Sequence, residues 1–202
     1  MSSEKLTIRE MLLKLLEEYE GDEIVTYGPA SYDAERGVVW IRENKFPWID
    51  DVIEYLESNA ETVWSGGYDY FAPIRMPLIA HAEGEYVYLS WVKTPIGYLW
   101  LVECDAPDYY SIRVYRRWGD AKKKAMELLK DLMDEVKEKI EESEDREVRK
   151  HYRIELSNMK KQLRELRALT KKNALLVVIP RRRVHQPLWF IKREGEEGLF
   201  GW

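Results

Sequence analysis

The run Tyr109-Tyr110-Ser111-Ile112-Arg113-Val114-Tyr115-Arg116-Arg117-Trp118 interleaves aromatic rings with guanidiniums. Read as a strand, it puts Tyr109, Arg113, Tyr115 and Arg117 on one face and Tyr110, Ile112, Val114 and Arg116 on the other, because side chains alternate along a pleated backbone. A face of rings and cations can stack bases and hold phosphates. The same pattern suits an aromatic sheet packed on a helix, with its arginines snorkelling to water. Two more cationic clusters accompany it. Lys122, Lys123 and Lys124 fall in the first turn of a helix, where the positive end of the dipole disfavours them. An anion is therefore expected nearby, either a bound phosphate or carboxylates of the chain itself. Arg181, Arg182 and Arg183 follow Pro180 directly after an apolar run. Three adjacent guanidiniums repel one another, and a phosphate backbone gripped bidentately would offset that repulsion. The expectation is one cleft bordered by these triplets and Arg113 or Arg117, with Tyr109 or Tyr115 stacking bases and with no metal or cofactor.

Catalytic signatures are sparse. There is no phosphate-cradling Gly-rich loop ending in Lys-Ser/Thr, no Gly-x-Ser-x-Gly elbow and no His-Glu-x-x-His. His81, His151 and His185 lack ligand spacing, and the single cysteine, Cys104, excludes an internal disulfide or a cysteine zinc cluster. One enzymatic arrangement stands as an alternative. Asp33 and Glu43-Asn44-Lys45, preceded by a helix carrying Glu10, resemble the layout of PD-(D/E)xK nucleases. In that layout two carboxylates hold a divalent metal and a lysine positions the attacking water. The alternative thus assigns Asp33, Glu43 and Lys45 to catalysis, although Asn44 stands where that family carries an apolar residue.

The elements that must position these residues are legible from periodicity. Thr7 and Glu10 form a capping box for a first helix, and Gly21 stops it. Strands are expected over Glu23 to Tyr27 and Val38 to Ile41, and a second helix opens at Pro47. After the break at Gly66-Gly67, Leu78 to His81, Tyr86 to Val92, Tyr98 to Cys104 and Tyr109 to Trp118 read as an antiparallel meander. Residues 119–172 then form a helical hairpin, turning within Glu141 to Asp145, because its two apolar stripes are out of phase along one straight helix. The second stripe, Tyr152, Leu156, Met159, Leu163 and Leu166, is narrow enough to be a coiled-coil seam for self-association or for a partner. Ala174 to Ile179 and Leu188 to Ile191 are expected to return as strands. The predicted class is α+β: an antiparallel sheet with two packed helices and an inserted hairpin. The body spans 1–118 and 173–193, the arm 119–172 and an acidic-aromatic tail 194–202.

Charge is divided along the chain. Met1 to Tyr110 holds 8 Lys and Arg against 21 Asp and Glu, a net of -13, while Ser111 to Trp202 holds 24 against 16, a net of +8. The basic half invites an anionic partner, unless the two halves neutralise each other in the fold. Charged residues make up 34 % of the chain but only two Gln and four Asn occur, a bias of hyperthermophile proteins. No cationic-apolar leader or membrane-spanning run is visible, so a cytoplasmic location is expected.

A small strand-rich body with aromatic and basic residues, a zipper-like helical extension and this composition resemble the ThermoDBP-related single-strand nucleic-acid binding proteins of archaea. The resemblance is one of layout and carries over no individual residue. It implies a non-enzymatic protein that grips single strands, DNA or RNA, without sequence preference and self-associates through its helices. An assembly or adaptor protein acting through the arm is the alternative.

Overall fold

The computed structural model describes residues 6–27, 38–40, 47–71, 84–107 and 109–179. Helix α1 (Ile8–Tyr19) begins on the expected box: the Thr7 hydroxyl accepts from the Glu10 N–H, and the Glu10 carboxylate accepts from the Thr7 N–H at 2.8 Å. Gly21, at φ +81°, turns the chain into strand β1 (Glu23–Tyr27), and a Cβ there would stand 3.0 Å from the Tyr115 ring. Strand β2 (Val38–Trp40), helix α2 (Pro47–Ser58), and strands β3 (Glu61–Asp69), β4 (Gly84–Thr94), β5 (Gly97–Ala106) and β6 (Tyr109–Tyr115) follow.

The six strands lie in the order β2-β1-β6-β5-β4-β3. From β1 to β3 every pairing is antiparallel, with Ile24 opposite Ile112, Val102 opposite Arg113 and Leu89 opposite Val102. β2 joins β1 in parallel at one edge. Helices cover both faces. Leu12, Leu15, Ile49, Val52 and Leu56 of α1 and α2 pack on Val92, Leu101, Ile112 and Val114 of one face. The other face, with Val87, Leu89, Trp100 and Val102, is covered by α3 (Trp118–Glu142) and α4 (Arg146–Ala168). The turn between them falls at residues 143–145, where Asp145 caps α4 by accepting from the Glu147 and Val148 N–H groups at 2.7 and 3.3 Å. The α+β class and the hairpin are therefore as expected. Among the described residues no helix is long and apolar enough to cross a membrane.

Three expectations change. The hairpin is a packed layer of the fold. Its stripe of Tyr152, Met159, Leu163 and Leu166 is buried, at 0 to 7 % exposure, and Leu156 is half-buried against the same core. The sheet and α3 complete a stripe that looked too narrow for a core helix, so these side chains are covered within one chain.

Gly66-Gly67 is the second change, because it lies inside β3 instead of breaking the chain. A Cβ on Gly67 would sit 2.0 Å from the Glu85 carbonyl oxygen, and one on Gly66 2.6 Å from the Trp64 ring. Close approach, a known use of glycine in strands, explains the pair.

The third change concerns residues 174–179, which do not form a strand. Helix α5 (Lys171–Ala174) ends there, Leu176 is 75 % exposed, and Ile179 donates a single bond of 2.8 Å to the Thr62 carbonyl of β3. The outer edge of β3 is satisfied by side chains of α4 instead. The Gly67 N–H donates to Gln162 Oε1 at 3.0 Å, the Asp69 N–H to Glu155 Oε2 at 3.3 Å, and His151 Nε2 lies 2.9 Å from the Asp69 carbonyl. These positions share one side of α4, so the helix closes an edge that would otherwise recruit another strand. Leu78 to His81, Leu188 to Ile191 and the tail lie outside the described residues.

Candidate nucleic-acid interface

The residues of the expected cleft are dispersed. Arg113 is buried at 8 % exposure, paired with Glu23 at 2.9 Å, and its Nη1 approaches Cys104 Sγ at 3.9 Å. Ser111 Oγ donates to the same Glu23 carboxylate at 2.8 Å, and Tyr109, half-buried, hydrogen-bonds it too. Glu23 thus spends its charge and acceptors on this strand, and Arg113 has no free fork for a phosphate. Burial raises the Cys104 thiol to about 11, so it stays protonated and unreactive. Tyr115 is 9 % exposed, with its phenol 3.4 Å from the Gly21 carbonyl and pushed up to about 12 by burial. Neither Arg113 nor Tyr115 can meet a ligand, because the face that carries them is the one the hairpin covers. Arg117 remains exposed at the start of α3.

The lysine triplet also resolves within the chain. Lys122 Nζ donates to the Arg167 and Leu169 carbonyls at 2.7 and 2.8 Å, at the C-terminal end of α4. The antiparallel hairpin lays the negative end of one helix dipole beside the positive end of the other, so the anion anticipated near this triplet is a row of carbonyls. Lys123 and Lys124 approach Glu127 at 3.9 and 3.4 Å. Lys122→Met is expected to cost about 1 to 2 kcal/mol of stability in chemical denaturation. Nucleic-acid affinity and its salt slope should stay unchanged, whereas a phosphate contact would lower both.

Arg181, Arg182 and Arg183, and the alternative catalytic set Asp33, Glu43 and Lys45, lie outside the described residues. Glu10, the helix acid of that alternative, is occupied by its capping box. Among the described residues no group of three His, Cys, Asp or Glu could hold a metal ion.

A second polar cluster ties α3 to the sheet. Tyr68 donates to Glu135 at 2.7 Å, Tyr70 donates to Glu85 at 2.6 Å, and Lys139 pairs with Glu135 at 2.9 Å. The two carboxyls also hydrogen-bond each other. Burial raises Glu85, and its contact with Glu135 adds to this. Burial opposes ionisation of Glu135 as well, but hydrogen bonds from Tyr68 and Lys139 outweigh it and hold that carboxyl below its ordinary value. Of the two carboxyls, Glu85 is therefore the one that holds a proton more readily. An acid raised in the folded state contributes stability that is fully present below its unfolded value and lost as pH rises through the folded one. Urea unfolding is expected to show stability falling across that window, with a shallower fall in Glu85→Gln.

The unneutralised charge sits elsewhere, on the outward side of α4. Arg146, Lys150, Arg153, Lys160, Arg164 and Arg167 are exposed and recur every three to seven residues. At 100° per residue they fall within about 50° of one line, about 120° from the buried stripe and opposite His151, Glu155 and Gln162 at the β3 edge, over ~32 Å of helix. None of the six has an ion-pair partner among the described residues. The only α4 pair there is Lys161 with Glu165 at 3.8 Å, and every pair of α3 is internal to α3. Neutralisation between the two helices, a possibility on sequence alone, does not occur. The wheel position of these six residues was available in the sequence; what hid it was the presence of enough acids in α3 to pair with them. Comparison with protein-family models, curated proteins and solved structures finds no match to this chain.

Proposed function

We propose that this chain is a non-enzymatic nucleic-acid binding protein that holds the phosphate backbone of a single strand along α4. The observation that carries the reading is the row of six exposed cations, without ion pairs among the described residues, on a helix held from its other sides by the core and by the β3 edge. Isolated exposed charges contribute little to stability, so folding supplies no strong reason for the row. A phosphate chain does, because each neutralised phosphate releases condensed counterions. No aromatic side chain lies within the row, so binding is independent of base identity. A flexible single strand can lay successive phosphates along a straight line, whereas a duplex backbone winds away from it. This is the activity that the layout resemblance implied, moved from a cleft beside β6 to the outside of the hairpin.

The test is fluorescence anisotropy of labelled single strands of several sequences, and of a duplex, across a salt series. Affinity should be similar for all single strands, with a log-log salt slope approaching about -4 if all six cations each meet one phosphate. Absence of binding at low salt, or an affinity insensitive to salt, overturns the reading.

A further inference from the structure

The outward side of α3 is the electrostatic opposite of that of α4. Asp131, Asp134, Glu138, Glu141 and Glu142 are exposed and fall opposite the buried Ala125, Leu129, Met133 and Val136. Among the described residues only Asp134 of these five has an ion pair, with Lys137 at 2.6 Å. The hairpin therefore presents two parallel stripes, one acidic and one basic, side by side yet pointing outward instead of toward each other. The short turn at residues 143–145 sets their relative level. Counting back from it on both helices puts Glu142 level with Arg146, Glu138 with Lys150 and Asp134 within one residue of Arg153.

We propose that a second copy of this chain docks on this face, α3 over α4 and α4 over α3, and competes with nucleic acid for the basic row. The competition rests on the function proposed above; the docking does not. Symmetry selects the arrangement. A twofold axis running along the hairpin, between its helices, maps α3 of one copy onto α4 of the other twice, with turn facing turn, so the level residues become opposite charges across the interface. An in-plane axis perpendicular to the helices would lay α3 on α3 and α4 on α4, like charge on like. Both arrangements set the apposed helix dipoles antiparallel, so the side-chain charges select between them. Because exposed ion pairs are individually weak and screened by salt, the pairing is labile, and a strand carrying a denser line of negative charge can displace it. In this respect α3 occupies the place of a phosphate backbone.

The experiment combines sedimentation with charge exchange. The parent chain is expected to sediment as a dimer at low salt and as a monomer at high salt or with an excess of single-stranded oligonucleotide. Reversing α3 with Asp134→Lys and Glu138→Lys should abolish self-association, as should reversing α4 with Lys150→Glu and Arg153→Glu. All four substituted residues are exposed, and unchanged helical circular dichroism checks that each variant folds. Mixing the two variants should restore a dimer, because one then presents two basic stripes and the other two acidic ones. The α3 variant should bind single strands more tightly than the parent at low salt, since its competitor is gone, while the α4 variant should bind them at least tenfold more weakly. A parent that stays monomeric at low salt, or variants that fail to combine when mixed, overturns the proposed pairing. A parent that dimerises, with the mixed variants recombining, while no oligonucleotide binds, leaves the pairing standing and removes only the nucleic-acid reading.

Discussion

Replacement of Lys150, Arg153, Lys160 and Arg164 by alanine is expected to weaken single-strand binding by roughly two to three orders of magnitude near 0.1 M salt and to flatten the log-log salt slope by about 2.8. The number follows from four lost phosphate contacts at about 0.7 each, the value for single strands. Stability should change little, because all four side chains are exposed and none has an ion-pair partner among the described residues. The loss should be the same for every sequence, since phosphate contacts position a strand without reading it. The control is the pair Lys123→Ala and Lys124→Ala. These lysines belong to the same hairpin but approach Glu127, so their removal should leave the slope nearly unaltered. A slope that falls as much in the control as in the α4 variant would mean that net charge, and not the row, governs binding. Titrations with single strands of contrasting base composition supply the measurement.

Leu166→Ala is expected to destabilise the chain by about 2 to 5 kcal/mol in urea or thermal unfolding. The side chain is fully buried and lies in one cluster with Met159, Leu163, Leu129 and Val136. A leucine truncated in such a place loses its transfer free energy and leaves a cavity that neighbours fill only partly. Leu156→Ala should cost less, because that residue is only half-buried. The distinction separates a core position from a zipper position. At high salt, where charge pairing between copies is screened, a seam that joined two chains would still make the unfolding midpoint of the variant depend on protein concentration, whereas a core residue lowers the midpoint equally at all concentrations. The latter is the expected result.

Both predictions rest on the same helix, and its two sides were not equally legible beforehand. The apolar stripe from Tyr152 to Leu166 is plain in the sequence, yet it fits a coiled coil or a core helix equally well, and what selects the core is β3. That strand was itself hidden by Gly66-Gly67, which reads as a break until Glu85 and Trp64 are seen to occupy the space where Cβ atoms would stand. Arg113 shows the same limit. Its alternation with aromatic residues is compatible with a solvent-facing binding strand, and only the pairing of β1 with β6, which brings in Glu23, reveals a closed ion pair.

The sequence by itself determined whatever depends on neighbours within a few residues. The capping box at Thr7 and Glu10, the Gly21 turn, the hairpin bend and the strands from Tyr86 to Tyr115 belong here. Each rests on hydrogen bonds or side-chain periods of two to four residues, which the chain carries wherever it goes. Tertiary structure alone decided which partner each exposed-looking group would meet. Lys122 finds the carbonyls of Arg167 and Leu169, 45 and 47 positions away, and Gly67 finds Gln162, 95 positions away. The six cations of the α4 row find none among the described residues. Such pairings follow from how the helices and the sheet stack, and long-range stacking is not encoded in any local period. The same residue types therefore became a buried clasp in one place and an open row of charge in another.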